Sequence, residues 1–100
     1  ADLAVAVISS PKPSDKIPEI EQTLSAGAAA MNLLSAALAA GWGANWLSGW
    51  ISHQPAWREQ HLGLAPHEWI AGFIHIGTER IAPPERPRPD LSTIVKWVET

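Results

Sequence analysis

The chain has no cysteine among its 100 residues, which excludes a disulfide framework, a cysteine-based zinc site and a thiol nucleophile. A reducing, cytoplasmic setting agrees with that absence. Charge is also scarce. Only 17% of the residues are Asp, Glu, Lys or Arg, against about 25% in an ordinary soluble domain. None of them falls between Glu21 and Arg58. The formal net charge is -3, and no basic stripe interleaved with aromatics is present, so nucleic acid is not an expected partner. The segment Ala1 to Ile8 carries neither an initiator methionine nor a basic n-region and does not read as a signal peptide. A strand-like run this early predicts a chain that opens in mid-domain.

Several catalytic patterns are missing too. The four histidines, His53, His61, His67 and His75, form no His-Glu-x-x-His or other tight ligand pair, so no metal site is expected. Neither a Gly-x-Ser-x-Gly elbow nor a P-loop occurs. Gly41-x-Gly43 lacks a third glycine and precedes a strand, which separates it from a dinucleotide fingerprint. His75 reads as a core histidine with a backbone partner, and His61 and His67 as solvated residues beside a helix end and a turn.

What is present is an apolar excess, 46% hydrophobic, concentrated in one stretch. A chain of this length buries only about 60–65% of its unfolded surface. The excess therefore predicts an apolar face covered by a partner subunit. Leu3 to Ile8 reads as a strand over 3–8, buried on both faces. Pro11 and Pro13 hold the following loop out of helix. Ile17, Leu24, Met31 and Leu38 recur every seven residues, with Ile20 and Leu34 beside them, predicting a helix over 17–41. Glu19, Glu21 and Gln22 start that helix in solvent, and the alanines after Ser25 predict that it ends buried. Gly41 or Gly43 can supply the left-handed residue that stops it.

A strand over 44–50 follows, with Trp46, Ser48 and Trp50 expected on one face and Asn45, Leu47 and Gly49 on the other. A short helix spans 55–62, from Pro55 to just before Gly63. Another strand covers 69–77, apolar on both faces except at His75. The proline-rich segment from Pro83 begins an extended arm over 83–100, in which Asp90 caps a last helix from Leu91 to Val98. These elements form one α+β domain over 1–100. Its mixed sheet packs with helices around a long, central, buried helix, and three strands are too few for a self-sufficient sheet. A membrane span is disfavoured because the uncharged stretch is mostly alanine, is broken by Gly41 and Gly43, and lies in a chain of mean hydropathy -0.02.

The stripe Ser25-Ala-Gly-Ala-Ala-Ala-Met-Asn-Leu-Leu34 has almost no side-chain bulk and leads into Gly41-Trp-Gly-Ala-Asn-Trp-Leu-Ser-Gly49. Small residues admit something flat: a packed sheet, another helix or a planar ring. These two segments, Leu62 to Thr78, and Pro83 to Leu91, taken in that order, resemble the nitroreductase family across essentially the whole chain. The similarity is strongest to its small YdjA-like branch.

The resemblance implies the C-terminal half of a nitroreductase-type fold, with FMN bound at a homodimer interface. It further implies hydride transfer from NAD(P)H to a small-molecule acceptor, nitroaromatic or quinone-like. Trp46, Leu47 and Ser48 match a flavin-contacting strand of the family. Ala36, Ala37, Leu38, Ala39, Ala40 and Gly41 match a segment assigned to the nicotinamide cofactor. Arg86 and Arg88 match a tail position that places a cation on the FMN phosphate, a role suited to the bidentate guanidinium; a solvated arm is the other reading. No side chain is expected as general acid or nucleophile, because the flavin carries the reaction. The family's opening Arg-Arg-Ser-type motif has no counterpart here, so the expected flavin contacts are a partial set. The competing expectation is a non-catalytic dimerisation or interaction module that has lost the flavin site.

Overall fold

The computed structural model describes residues 2–99. Ala1 and Thr100, the outer limits of the expected domain and arm, lie outside the described residues. In chain order the elements are β1 (Leu3–Ser9), α1 (Glu19–Ala39), β2 (Gly43–Leu47), a 3-10 turn (Trp50–His53), α2 (Pro55–Leu62), β3 (Trp69–Gly77) and α3 (Leu91–Ile94).

The strands form one sheet in the order β1-β3-β2. Both pairings are antiparallel, with Val5 opposite Ile74 and Trp46 also opposite Ile74. The expected mixed sheet is therefore corrected. β1 and β2 run the same way on either side of the α1 crossover, but β3 lies between them, so no parallel ladder forms. Being an edge strand, β1 is only half covered, and Leu3 is 52% exposed. Only β3 is flanked on both sides, and burial alternates along it, with Ile70, Gly72 and Ile74 buried.

Pro18 sets the start of α1. Its ring favours extended backbone at Ile17, and its carbonyl accepts the Glu21 N–H at 3.0 Å. The helix therefore begins at Glu19, two residues later than the periodicity implies. The Gln22 amide fastens the preceding loop onto the helix, donating to the Lys12 carbonyl at 2.9 Å and accepting the Lys12 N–H at 2.8 Å. At the other end Gly41 takes φ +93°. The Trp42 N–H bonds the Ala37 carbonyl and the Gly41 N–H bonds the Leu38 carbonyl, at 3.1 and 3.0 Å. This is a Schellman closure, so the helix stops at Ala39 rather than at residue 41.

Of the α1 alanines, Ala30 and Ala37 face the sheet. Ala30 and Ala37 are buried against a core that includes Ile70 and Ile74. The seven-residue stripe lies roughly 100° around the helix from them and is open: Leu24 is 65% exposed, and Met31 and Leu38 52% each. The helix is long, but its C-terminal half is not buried all round within this chain. Ala30 and Ala37 permit close approach to the sheet, with Leu33 and Leu34 half-buried beside them, and the stripe through Leu24, Met31 and Leu38 stays outside.

The other boundary differences are local. β1 runs one residue further than expected, to Ser9. Asp90 does cap α3, its carboxylate accepting the Ser92 N–H at 3.0 Å. The helix nonetheless ends at Ile94, not Val98, because a single turn on an exposed arm has no packing to propagate it. Among the described residues no helix is long and apolar enough to cross a membrane, and no cluster of metal-ligating side chains occurs.

A close approach ties β2 to β3. Val7 pairs with Gly72 and Ile8 with Ile70, so a bulge leaves Ala71 without a partner on β1. The Trp46 indole crosses Gly72 and donates its N–H to the Ala71 carbonyl at 3.2 Å. A methyl group at residue 72 would overlap Nε1 and Cδ1 of that indole. Gly72→Ala is accordingly expected to destabilise the protein by about 1–3 kcal/mol, read from chemical denaturation. An unchanged midpoint would show that the indole is free to move.

At the entrance to β3 the Glu68 carboxylate accepts the Ala65 N–H at 2.9 Å. That bond above all, then the Ser10 hydroxyl and the nearby His67, holds its pKa below the ordinary carboxylate range. The stabilisation it gives is present above the unfolded-state pKa and is lost as pH falls through the lowered value. Glu68→Gln should make the acid limb of a stability-versus-pH curve shallower.

Candidate functional site

β2 ends at Leu47, three residues short of the expected limit, and the chain turns sharply. The buried Ser52 hydroxyl donates to the Ser48 carbonyl, and Gly49 adopts φ +67°, ψ 173°. That backbone region is essentially reserved for glycine. The turn carries Trp50 round to the side of the sheet that Leu47 faces. Strand alternation would have set it with Trp46.

The two faces of the sheet differ. Toward α1 point Ile70, Gly72, Ile74 and Ile76 with their cross-strand partners, Trp46 among them. Away from α1 point Phe73 and His75, opposite Leu47 and Asn45 respectively. Trp57 of α2 covers Phe73 edge on, with ring centroids 6.2 Å apart. Beyond that cover a cleft of about 440 Å³ opens. Ala4, Leu47 and Phe73 floor it, Trp50 and Ile51 wall it, and Ser48, Gly49 and His75 complete its edge. Trp50 is 71% exposed. This is a wide, shallow and mainly apolar space.

Two larger cavities also border the sheet. One of about 530 Å³ lies on the α1 side and is lined by Leu33, Ala36, Ala37, Trp42 and Ile76 among others. The other, a groove of about 910 Å³, includes Leu38, Asn45, His75, Thr78, Glu79 and Arg80.

The structure thus brings together only some of the residues expected to share a site. Leu47 and Ser48 line the apolar cleft. The Trp46 side chain does not, because one step along a strand puts it on the α1 face with its N–H already bound. Ala36 and Ala37 border the α1-side cavity and Leu38 the groove. Ala39 and Ala40 are exposed, and Gly41 serves the helix closure. Arg86 and Arg88 line none of these three cavities. They lie on the exposed arm, where Arg88 pairs with Glu85 at 2.6 Å.

Sequence reasoning missed Trp50 and His75. The signal for Trp50 was Gly49, whose freedom to break the strand reverses the alternation after it. His75 is half-buried and borders two cavities instead of packing in the core. Its place became visible only with the register of β3 against β1 and β2.

A family model, described as the nitroreductase family, matches residues 4–78. The chain is 36% identical over 81 residues to the curated protein "Putative NAD(P)H nitroreductase YdjA" of Escherichia coli (strain K12), across 81% of this chain and 44% of that protein. The protein of the same name from Escherichia coli O157:H7 matches to the same extent. The crystal structure of a nitroreductase-like family protein from Bacillus cereus superposes with a TM-score of 0.82 at 25% identity, covering 97% of this chain and 51% of that one. The chain therefore spans about half the length of the proteins it matches, and its α+β architecture is theirs.

The bend at Gly49 yields a direct test. A Cβ at this position would meet nothing within 4 Å, so the cost of Gly49→Ala is purely one of backbone conformation. It should be about 1–3 kcal/mol, seen as a lower denaturation midpoint. A neutral substitution would mean that the turn is not held in this conformation.

Proposed function

The chain belongs to the nitroreductase family, and from that premise we propose that it forms part of an FMN-dependent NAD(P)H oxidoreductase acting on nitroaromatic or quinone-like acceptors. The single observation that carries the proposal is the flat, mainly apolar cleft at the end of β2, together with the open space beside Gly49. When bound, FMN would supply hydride transfer in and out of its ring. The residues present suit such a ring. Leu47 and Phe73 offer an apolar floor, Trp50 an aromatic wall, and the glycine lets a planar group approach the backbone closely.

Among the described residues the cleft has no Arg or Lys for a phosphate. In this reading Arg86 and Arg88 meet that group from the arm, which requires the arm to fold over the site or over a second subunit. Trp46 acts from beneath, holding β2 against β3 so that Leu47 and Ser48 keep their places. Ala36 to Gly41 belong to the nicotinamide cofactor's approach, as the family resemblance implies. The cytoplasm, where NAD(P)H is at hand, is the compartment that fits this chemistry.

A homodimer completes the proposal. The exposed stripe Ile20, Leu24, Met31 and Leu38 is the apolar face that a second copy would cover. An interaction module without flavin is the second reading, favoured by the absence of Arg86 and Arg88 from the cleft.

The test is a purified sample expressed from the natural reading frame. It should carry flavin absorbance or gain it on adding FMN, and it should oxidise NAD(P)H in the presence of a quinone or nitroaromatic. A stable dimer with neither property would establish the second reading. Leu24→Glu should shift the protein toward monomer, raising the dimer dissociation constant at least tenfold, because a buried leucine contributes about 1.5–3 kcal/mol. Equilibrium sedimentation reads this directly, and an unchanged dimer would exclude the α1 stripe from the interface.

A further inference from the structure

Away from α1, β3 presents Trp69, Ala71, Phe73 and then His75. The first three are apolar. His75 is the first polar side chain on this face, and it stands where the apolar cleft meets the more polar groove, since it lines both. Its register neighbours are Ala4 on β1 and Asn45 on β2. Ala4 is too small to cover an imidazole, and Asn45 is exposed. The ring is half-buried, with open space on two sides.

Three physical points give this placement a consequence. Among the described residues His75 is the only ionisable side chain lining the cleft, and an imidazole can both donate and accept a hydrogen bond. Beside an apolar floor such a bond is worth more than in water. Ladders on both sides of β3 also fix the residue's position, and groups borne on a paired strand are held more accurately than groups on a loop. A flat ring resting on Leu47 and Phe73 would present its edge to the imidazole.

We propose that His75 orients the ring held in this cleft, hydrogen-bonding a carbonyl oxygen or ring nitrogen on its heteroatom edge. The ligand class is a fused heteroaromatic ring of the flavin type, so the proposal rests on the flavin reading above. Trp50 and Leu47 contribute contact area without preference for how the ring is turned, and His75 supplies that preference.

The experiment is an FMN titration of the protein expressed from its natural reading frame, comparing wild type with His75→Leu and His75→Gln. The dissociation constant, the visible spectrum of bound flavin and the thermal midpoint are recorded for each. His75→Leu should bind FMN about tenfold more weakly and shift the bound-flavin bands. His75→Gln, which still offers a donor and an acceptor, should recover most of the affinity. If the leucine variant fails to fold, His75→Ala takes its place: weaker FMN binding with shifted bound-flavin bands supports the contact, and unchanged affinity and spectrum overturn it.

Unchanged affinity and spectrum in a folded His75→Leu protein would overturn the orienting role and leave flavin binding standing. Equal losses in both variants, with a lower thermal midpoint, would assign His75 to packing and overturn the proposal. A wild-type protein that takes up no FMN would overturn this proposal and the flavin reading together.

Discussion

The Trp46 indole lies across Gly72 and reaches the carbonyl of Ala71, and the rest of the molecule is arranged around that contact. The bulge at Ala71 leaves this residue without a partner on β1, and the indole N–H bonds its carbonyl at 3.2 Å. Glycine at the next position removes the side chain that would block the ring. β2 is only five residues long and could not be held firmly by its ladder alone. The indole adds area and direction to that pairing. The position of everything after β2, including Ser48, Gly49 and the 3-10 turn, follows from it.

With β2 fixed, strand alternation divides labour between the faces. Trp46 goes under the sheet toward α1, where alanines allow close approach and the buried core forms. Leu47 goes over it, beside Phe73. The Gly49 bend then adds Trp50 to the same side, so that three apolar side chains from two separate segments enclose one cleft. The core and the candidate site therefore use opposite faces of one sheet. A substitution under the sheet would act on the site through strand position, whereas one above it would act by contact.

Much of this was legible in the sequence. Proline and glycine positions marked the ends of α2 and placed those of α1 within two residues, β-branched and aromatic runs marked β1 and β3, and the order of small-residue and tryptophan motifs pointed to the nitroreductase fold. The failures share a cause, which is that periodicity reports an apolar face without saying what covers it. The stripe through Leu24 and Met31 was legible as one helical face, but not that the sheet would meet Ala30 and Ala37 and leave the stripe outside. Trp50 was assigned by alternation across Gly49, where the backbone no longer alternates. His75 looked internal because its strand is apolar, but residue 4 opposite it is an alanine and leaves the imidazole uncovered. Arg86 and Arg88 were located by motif alone, and no local rule says where an exposed arm will lie.

In the proposed function the flavin occupies the cleft above the sheet and not the cavity beside α1. A crystal structure of the naturally encoded protein grown with FMN addresses this most directly. The ring is expected to lie against Leu47, Ser48 and Trp50 with its edge toward His75. Density for the ring between Leu33, Ala36 and Trp42, on the α1 side, would contradict it.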